Sequence, residues 1–230
     1  MLPSQTVENY LKTIHLTEAA NRAHAQAPSG ERALVPMGQL ASALGVVPGT
    51  ATTMVKALAE SGLVHYEPYM GVRLTEGGEK LASLVLRRHR LIELFLVQVM
   101  GMSWAEVHDE AERLEHAVSE RLIDLIDEML GRPETDPHGD PIPTAEGTIS
   151  HPEYVDLLSA PIGTRLTVVR VVDQGAEFLR FIEERQLKPG STVVVESRDD
   201  QADAVVLRTG TSDQTTIGTR AASKVLVQLS

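Results

Sequence analysis

The chain has 230 residues, 42% of them hydrophobic and 23% charged, with a formal net charge of −11 and no cysteine. This composition excludes disordered and fibrous chains, disulfides, thiolate metal sites and cysteine nucleophiles. No apolar run approaches the ~18 residues of a membrane span, and Met1-Leu2-Pro3-Ser4-Gln5 lacks the basic and apolar regions of a secretory signal, so a cytoplasmic protein is expected.

Residues 5–20 read as an amphipathic helix, with Val7, Tyr10, Leu11, Ile14 and Leu16 near helical period. Residues 21–36 read as a loop broken by Ala27-Pro28-Ser29-Gly30 and Pro36. A short helix follows over 37–45 and stops at Gly45, since glycine tolerates the positive φ of a helix end. A second helix starts near Pro48 and runs to Ser61. Leu63–Tyr66 and Val72–Leu74 then form a small hairpin around Pro68-Tyr69-Met70-Gly71.

Thr75 caps a long helix to about Val99, with Glu76 and Glu79 complementing its dipole. Ser103 and Glu106 suggest a capping box for a helix over 104–117, and another helix covers about 119–131. The apolar stripe Val107, Ala111, Leu114, Val118, Leu122, Leu125, Met129 needs a partner, within the chain or in a second subunit. Residues 132–154, rich in proline and glycine, read as linker-like. Beyond them β-rich runs at 166–172, 192–195 and 204–208, with one helix at about 175–186, predict a small SH3-like β-barrel. Aromatics are only 3% of the chain, so the cores must be aliphatic; Phe178 and Phe181 lie on the last helix and are read as core. The expected class is mainly α with a small β domain. Its parts are a winged helix-turn-helix (1–75), a helical dimerisation and metal-binding domain (76–142), a linker (143–154) and an SH3-like domain (155–230).

Helix, glycine turn, second helix and hairpin make the winged helix-turn-helix pattern, whose second helix enters the DNA major groove. That helix carries Gly49, Thr50, Thr52, Thr53 and Lys56. Small hydroxyl side chains allow close approach, Lys56 can take a phosphate, and Tyr69 and Arg73 of the wing can reach the backbone. The acidity lies elsewhere, because residues 1–75 are net neutral while 76–134 carry −6 and 135–230 carry −5.

Glu112, Glu115 and His116 fall at i, i+3 and i+4 of one helix, with His108 a turn earlier on the same face. His89 and Glu93 form an i, i+4 pair on the preceding long helix, and facing helices that present Glu and His inward build metal sites in bundles. Asp136 and His138 follow on a turn that can fold back. Imidazole and carboxylate ligands without thiolate suit Mn²⁺, Fe²⁺, Co²⁺ or Zn²⁺. The metalloprotease motif is incomplete, because Glu112-Arg113-Leu114-Glu115-His116 lacks its first histidine. No Gly-x-Ser-x-Gly or phosphate-binding glycine loop is present, so the chain is not expected to be an enzyme.

Three stretches carry a resemblance to a known family: Glu8-Asn9-Tyr10-Leu11-Lys12-Thr13-Ile14, Arg88-His89-Arg90-Leu91-Ile92-Glu93, and Val107-His108-Asp109-Glu110-Ala111-Glu112-Arg113-Leu114-Glu115-His116, with Asp140-Pro141-Ile142-Pro143 as a further match. Through them the chain resembles the diphtheria-toxin-repressor family of metal-dependent transcriptional regulators, in its manganese-responsive branch. The resemblance implies a homodimer that binds double-stranded DNA at a palindromic operator when metal-loaded, represses metal-uptake genes in metal homeostasis, and has no membrane or RNA partner. By position it implies one metal site from Glu112, Glu115 and His116, and an ancillary site from His89, Glu93 and His108. Asp136 and His138 match ligands from the turn after the helices in some members, and Gln174 and Glu177 are candidates for a ligand lent by the C-terminal domain. Glu112 stands where iron-responsive members carry cysteine, which points to Mn²⁺, with Fe²⁺ as the other physiological candidate and Zn²⁺, Co²⁺ or Cd²⁺ as substitutes in vitro. Two first-helix ligand positions of the family are here Asn9, whose amide oxygen can ligate, and Lys12, which cannot while charged. Two alternatives stay open: a winged-helix regulator answering an organic ligand, and a metal-binding adaptor without operator affinity.

Overall fold

The computed structural model describes residues 4–24, 34–150, 152–210 and 213–229. They divide into two compact units, one of residues up to Arg88 with Pro143–Ile149, the other of His89–Ile142 with the chain from 150 onward.

In the first unit helix α1 spans Gln5–His24, α2 Met37–Ala43 and α3 Pro48–Glu60. Strands β1 (Val64–Glu67) and β2 (Gly71–Leu74) form an antiparallel hairpin, and α4 (Glu76–Gln98) begins here. The helical part of the expected loop 21–36 belongs to α1, which runs one turn further than the apolar stripe suggests. Residues 25–33 of that loop lie outside the described residues. Gly45 takes φ +64 in the α2–α3 turn, as expected of a helix stop. Tyr10, Leu11, Ile14, Leu40, Val55, Leu58, Val72 and Leu74 close the core. Each such aliphatic side chain contributes roughly 1.5–3 kcal/mol on burial. The hairpin is pinned along β2, near its turn, because Val35 and Val72 exchange backbone hydrogen bonds of 2.8 and 3.0 Å. Gly71 lets that bridge form, since a Cβ there would stand 2.4 Å from the Val35 carbonyl oxygen. Glu18 on α1 accepts from the Leu74 amide at 2.8 Å. Glu8 on α1 pairs with Arg88 at 2.6 Å.

The second unit contains the rest of α4, α5 (Val107–Leu114), α6 (Glu120–Met129) and a six-stranded antiparallel sheet. Its strands are β3 (Val155–Asp156), β4 (Arg165–Val171), β5 (Thr192–Asp199), β6 (Ala204–Thr209), β7 (Asp213–Gly218) and β8 (Val225–Leu229). Helices α7 (Ala176–Glu184) and α8 (Thr219–Ala222) complete it. The strand order is β3-β8-β4-β5-β6-β7, so among the described residues the SH3-like sheet stays open, with β3 and β7 as edges. A two-residue β3 has too few backbone groups to close a barrel. Phe178 and Phe181 pack against the core of this domain, as expected.

Three local expectations change. Helix α5 starts at Val107 with Glu106 as N-cap, and no side chain caps it. Ser103 instead accepts from the Ala105 amide at 3.3 Å, and Glu106 is drawn to Arg180 at 2.6 Å. The apolar stripe divides along α6, where Ile123 and Ile126 are buried while Leu122, Leu125 and Met129 face outward. The linker-like stretch is also not slack, because Asp136, His138, Asp140 and Ile142 are all buried.

Candidate metal centre

Helix α4 presents His89 and Glu93 one turn apart, and α5 presents His108 and Glu112, also one turn apart. Leu91, Ile92, Val107, Ala111 and Ile123 share one core and hold these helices face to face. The His89 ring lies between two carboxylates. Its Nδ1 is 2.6 Å from Glu115 Oε2, and its Nε2 is 3.0 Å from Glu93 Oε1. His108 Nδ1 is 3.1 Å from the same Glu93 oxygen. Glu112 Oε1 stands 3.8 Å from His108 Nε2 and 4.0 Å from His89 Nδ1. His116 Nε2 is 3.2 Å from Glu115 Oε1.

The turn after α6 supplies the other wall. Asp136 Oδ1 accepts from the His138 and Asp140 amides at 2.8 and 2.9 Å, which curls the chain and leaves Gly139 at φ +87. His138 is fully buried, with Nδ1 3.8 Å from Glu93 Oε2 and 3.9 Å from Asp136 Oδ1. Arg90 donates to the Pro141 carbonyl and lies 3.8 Å from Asp136 Oδ2.

Three sets of donor atoms therefore cluster, each within 4.8 Å: His89, Glu93 and His108; His89, Glu112 and Glu115; and Glu93, Asp136 and His138. The first matches the expected ancillary set. In the second, His89 joins Glu112 and Glu115, while His116 stands beside Glu115. The third brings Asp136 and His138 to Glu93. His89 and Glu93 each serve two sets, so the three form one continuous polar seam.

These residues fit a divalent cation. Glu93 Oε2 and His138 Nδ1 are buried and have no hydrogen-bond partner, and buried polar atoms are rarely left so. Burial pushes the Glu93 carboxyl up, but hydrogen bonds from His108 and His89 and the nearby imidazoles outweigh it and hold it well below the usual carboxylate range. Burial, reinforced by Asp140 and Glu93, drives Asp136 well above that range, against the opposing pull of Arg90. A carboxylate that resists ionisation alone and beside its neighbours is a place where added positive charge is favourable.

The remaining expected ligands are not members of these sets. Gln174 Nε2 donates to Asp140 Oδ2 at 2.5 Å, next to the third set, and Glu177 is exposed on α7. Asn9 is on α1 in the first unit, with its Oδ1 buried and without a hydrogen-bond partner. Lys12 is buried on the same helix. Sequence reasoning missed Asp140, Arg90 and Arg170 around the Asp136 turn, where Arg170 Nη2 meets Asp140 Oδ1 at 2.5 Å. The second aspartate of Asp136-Pro137-His138-Gly139-Asp140 was the available signal.

In the helix-turn-helix, Gly49, Thr50, Thr53 and Lys56 are exposed along α3, and Thr52 is partly so. Thr52 and Thr53 donate to the Pro48 and Gly49 carbonyls at 2.8 and 3.0 Å, so each offers its lone pairs outward unless it rotates. Tyr69 stands fully exposed at the wing tip with φ +68, and Arg73 is partly buried on β2.

Residues 3–72 match the family described as iron dependent repressor, N-terminal DNA binding domain. Residues 75–144 match its metal binding and dimerisation domain, and 155–229 match the FeoA domain. The chain is 31% identical over 205 residues to the iron-dependent repressor IdeR of Mycobacterium tuberculosis, covering 84% of each chain. It is 32% identical over 136 residues to the HTH-type transcriptional regulator MntR of Lysinibacillus sphaericus, covering 59% of this chain and 89% of that one. Among solved structures, a manganese-dependent transcriptional repressor in complex with manganese superposes with TM-score 0.79 at 37% identity, covering 96% of this chain and 98% of that one. ScaR with bound Cd²⁺ superposes with TM-score 0.76 at 28% identity, covering 99% and 100%.

Proposed function

The chain belongs to the iron-dependent (diphtheria-toxin) repressor family, and from that premise we propose that it is a homodimeric, divalent-metal-dependent repressor that binds a palindromic operator, with Mn²⁺ as its co-repressor and metal-uptake genes as its targets. The observation that carries this reading is the seam of three donor sets sharing His89 and Glu93, with two buried donor atoms that no protein group satisfies. Its donors are imidazole nitrogens and carboxylate oxygens with no sulfur, a set that suits Mn²⁺.

A divalent cation would be held by carboxylates among Glu93, Glu112, Glu115 and Asp136 with the neighbouring imidazoles, and would supply positive charge that offsets their mutual repulsion. The chain's own residues do the rest. His89 ties α4 to the turn after α5 through Glu115. The Asp136 turn holds His138 Nδ1 toward Glu93. Helix α3 presents Thr50, Thr53 and Lys56 to phosphates and base edges, while Tyr69 and Arg73 serve the adjoining backbone. Without neutralisation the carboxylates repel, and the protein samples arrangements that do not match the operator. Ordering the ligands biases that mixture, with a coupling of about 1–3 kcal/mol between metal and DNA. The outward face of α6, with Leu122, Leu125 and Met129, supports pairing with a second copy.

The test is an anisotropy titration of the full chain against DNA from its own upstream region, with Mn²⁺, Fe²⁺, Zn²⁺ or a chelator. Tight binding only with metal, strongest with Mn²⁺, is expected. Binding indifferent to chelation would replace this reading with a regulator answering another ligand. Metal binding without DNA binding would favour an adaptor.

A further inference from the structure

One side chain outside the donor sets touches both the metal seam and the C-terminal domain. Trp104 precedes α5, is 4% exposed, and belongs to the core of Leu166, Leu179, Ile182 and Leu187 rather than to the helical core beside it. Its backbone carbonyl accepts from His138 Nε2 at 2.8 Å. A carbonyl only accepts, so Nε2 carries the hydrogen, and in the neutral ring Nδ1 keeps the lone pair aimed at Glu93 and Asp136. The Trp104 ring also stacks on the His138 ring, with centroids 5.6 Å apart and planes 26° apart. These contacts fix the plane of His138 and the nitrogen it offers.

The far side of the indole faces α7. Trp104 Nε1 donates to Glu183 Oε2 at 3.2 Å, and Lys188 Nζ lies 5.1 Å from the ring centroid and also pairs with Glu183. The Asp136 turn is tied to the same domain separately, through the Val171 amide on the His138 carbonyl at 2.8 Å.

We propose that Trp104 is a positioning residue for the Glu93–Asp136–His138 set, and that through Glu183 it transmits occupancy of that set to α7 of the C-terminal domain. The inference rests on reading that set as a metal site. Partners of a ligating imidazole commonly change metal affinity 10–100-fold when removed.

Trp104 is the only tryptophan in the chain, so its emission reports on this position alone. The full-length protein is titrated with Mn²⁺, and with diamagnetic Zn²⁺ to separate paramagnetic quenching, while bound metal per chain, emission and hydrogen exchange of α7 are followed. Emission should change, and α7 exchange should slow, with the midpoint of the metal ion that His138→Ala removes. Trp104→Leu keeps the backbone carbonyl but removes the stacked ring and the Glu183 bond, so it should weaken that ion by several-fold, less than the ~10–100-fold of losing a hydrogen-bonded partner, and Trp104→Phe, which keeps a stacking ring, should restore binding to near wild type. Glu183→Gln should keep metal affinity and lose much of the α7 protection, which keeps the test open if Trp104→Leu folds poorly. If His138→Ala binds as many ions as wild type, the set is not a metal site and the proposal falls with it. If His138→Ala loses an ion while Trp104→Leu binds like wild type, or α7 exchange ignores occupancy, the role of Trp104 alone is overturned.

Discussion

His89 Nδ1 and Glu115 Oε2 lie 2.6 Å apart, and Glu115 has no solvent exposure. The same imidazole faces Glu93 through its other nitrogen at 3.0 Å. One ring thus serves two of the three donor sets. His89→Ala should remove more bound Mn²⁺ per chain than His138→Ala, which disturbs a single set. It should also abolish the metal-dependent part of operator affinity, roughly 5–150-fold. Equilibrium dialysis and anisotropy on both variants check this, and equal metal loss from the two would contradict the shared-ring geometry.

The raised pKa of Asp136 fixes the sign of a pH effect on the metal-free chain. Burial raises it most, then Asp140 and Glu93, so the folded state binds this proton more tightly than the unfolded state does. Its contribution is fully present below the ordinary carboxylate pKa and is lost as pH rises through the higher folded value. Glu93 runs the other way: its pKa is depressed, so its contribution is present above the ordinary value and lost as pH falls through the lower folded one. With chelator present, Asp136→Asn should therefore be more stable relative to wild type at neutral pH than near pH 4. Thermal melts across that range decide it, and a wild type-to-variant difference independent of pH would remove the assignment.

Leu122, Leu125 and Met129 are 47%, 50% and 65% exposed on α6, at i, i+3 and i+7, while Ile123 and Ile126 fill the core behind them. Leu125→Glu should leave the melting temperature of the monomeric unit nearly unchanged, since half the side chain is already in water. It should shift the protein from dimer to monomer and weaken operator binding, because two half-sites need two linked recognition helices. Light scattering after gel filtration reads the mass directly, and a dimer that survives the charge would place the interface on another face.

Lys56 is exposed on α3 and free of the internal hydrogen bonds that engage Thr52 and Thr53. As a phosphate contact it carries charge without base information. Lys56→Ala should weaken binding to all DNA sequences alike and lower the salt slope by about 1. Thr50→Ala should instead alter preference among operators. If the Lys56 variant changed sequence preference at constant slope, its side chain would be reading a base.

Local patterns made much of this legible. Helices α1 to α6 follow from apolar stripes, the Thr75 cap and Gly45. The pairs His89/Glu93 and His108/Glu112 follow from helical period alone. That the two pairs meet across one core is a tertiary fact, and spacing could only suggest it. The strands β3, β7 and β8 lie outside the runs read from the sequence: Val155–Asp156 is two residues long, Asp213–Gly218 is polar, and Val225–Leu229 is a short run at the end of the chain. The Asp136 turn looked like linker because proline and glycine dominate its composition, while its burial comes from hydrogen bonds to distant partners such as Val171. Trp104 carried no local signal at all, since its place in the C-terminal core is set by residues more than fifty positions downstream.

Gly139 directly follows the ligand residue His138 in that turn, and its geometry gives a sharp expectation. A Cβ there would lie 1.9 Å from the Val169 carbonyl oxygen and 2.7 Å from the Arg170 Cα, at φ +87. Both obstacles are backbone, so no rotamer change relieves them. The φ alone costs a side chain on the order of 1–3 kcal/mol, and the collision adds to it. Gly139→Ala must therefore lift the turn from β4 and break the 2.8 Å bond between the Val171 amide and the His138 carbonyl. In chelator the melting temperature should fall by roughly 2–4 °C for each kcal/mol lost. In Mn²⁺ the ion held by Glu93, Asp136 and His138 should go, while Glu112 and Glu115 keep theirs, because neither depends on the turn. Calorimetry with metal counting separates the two effects, and a variant that melts like wild type would mean that the turn does not rest on β4 in solution.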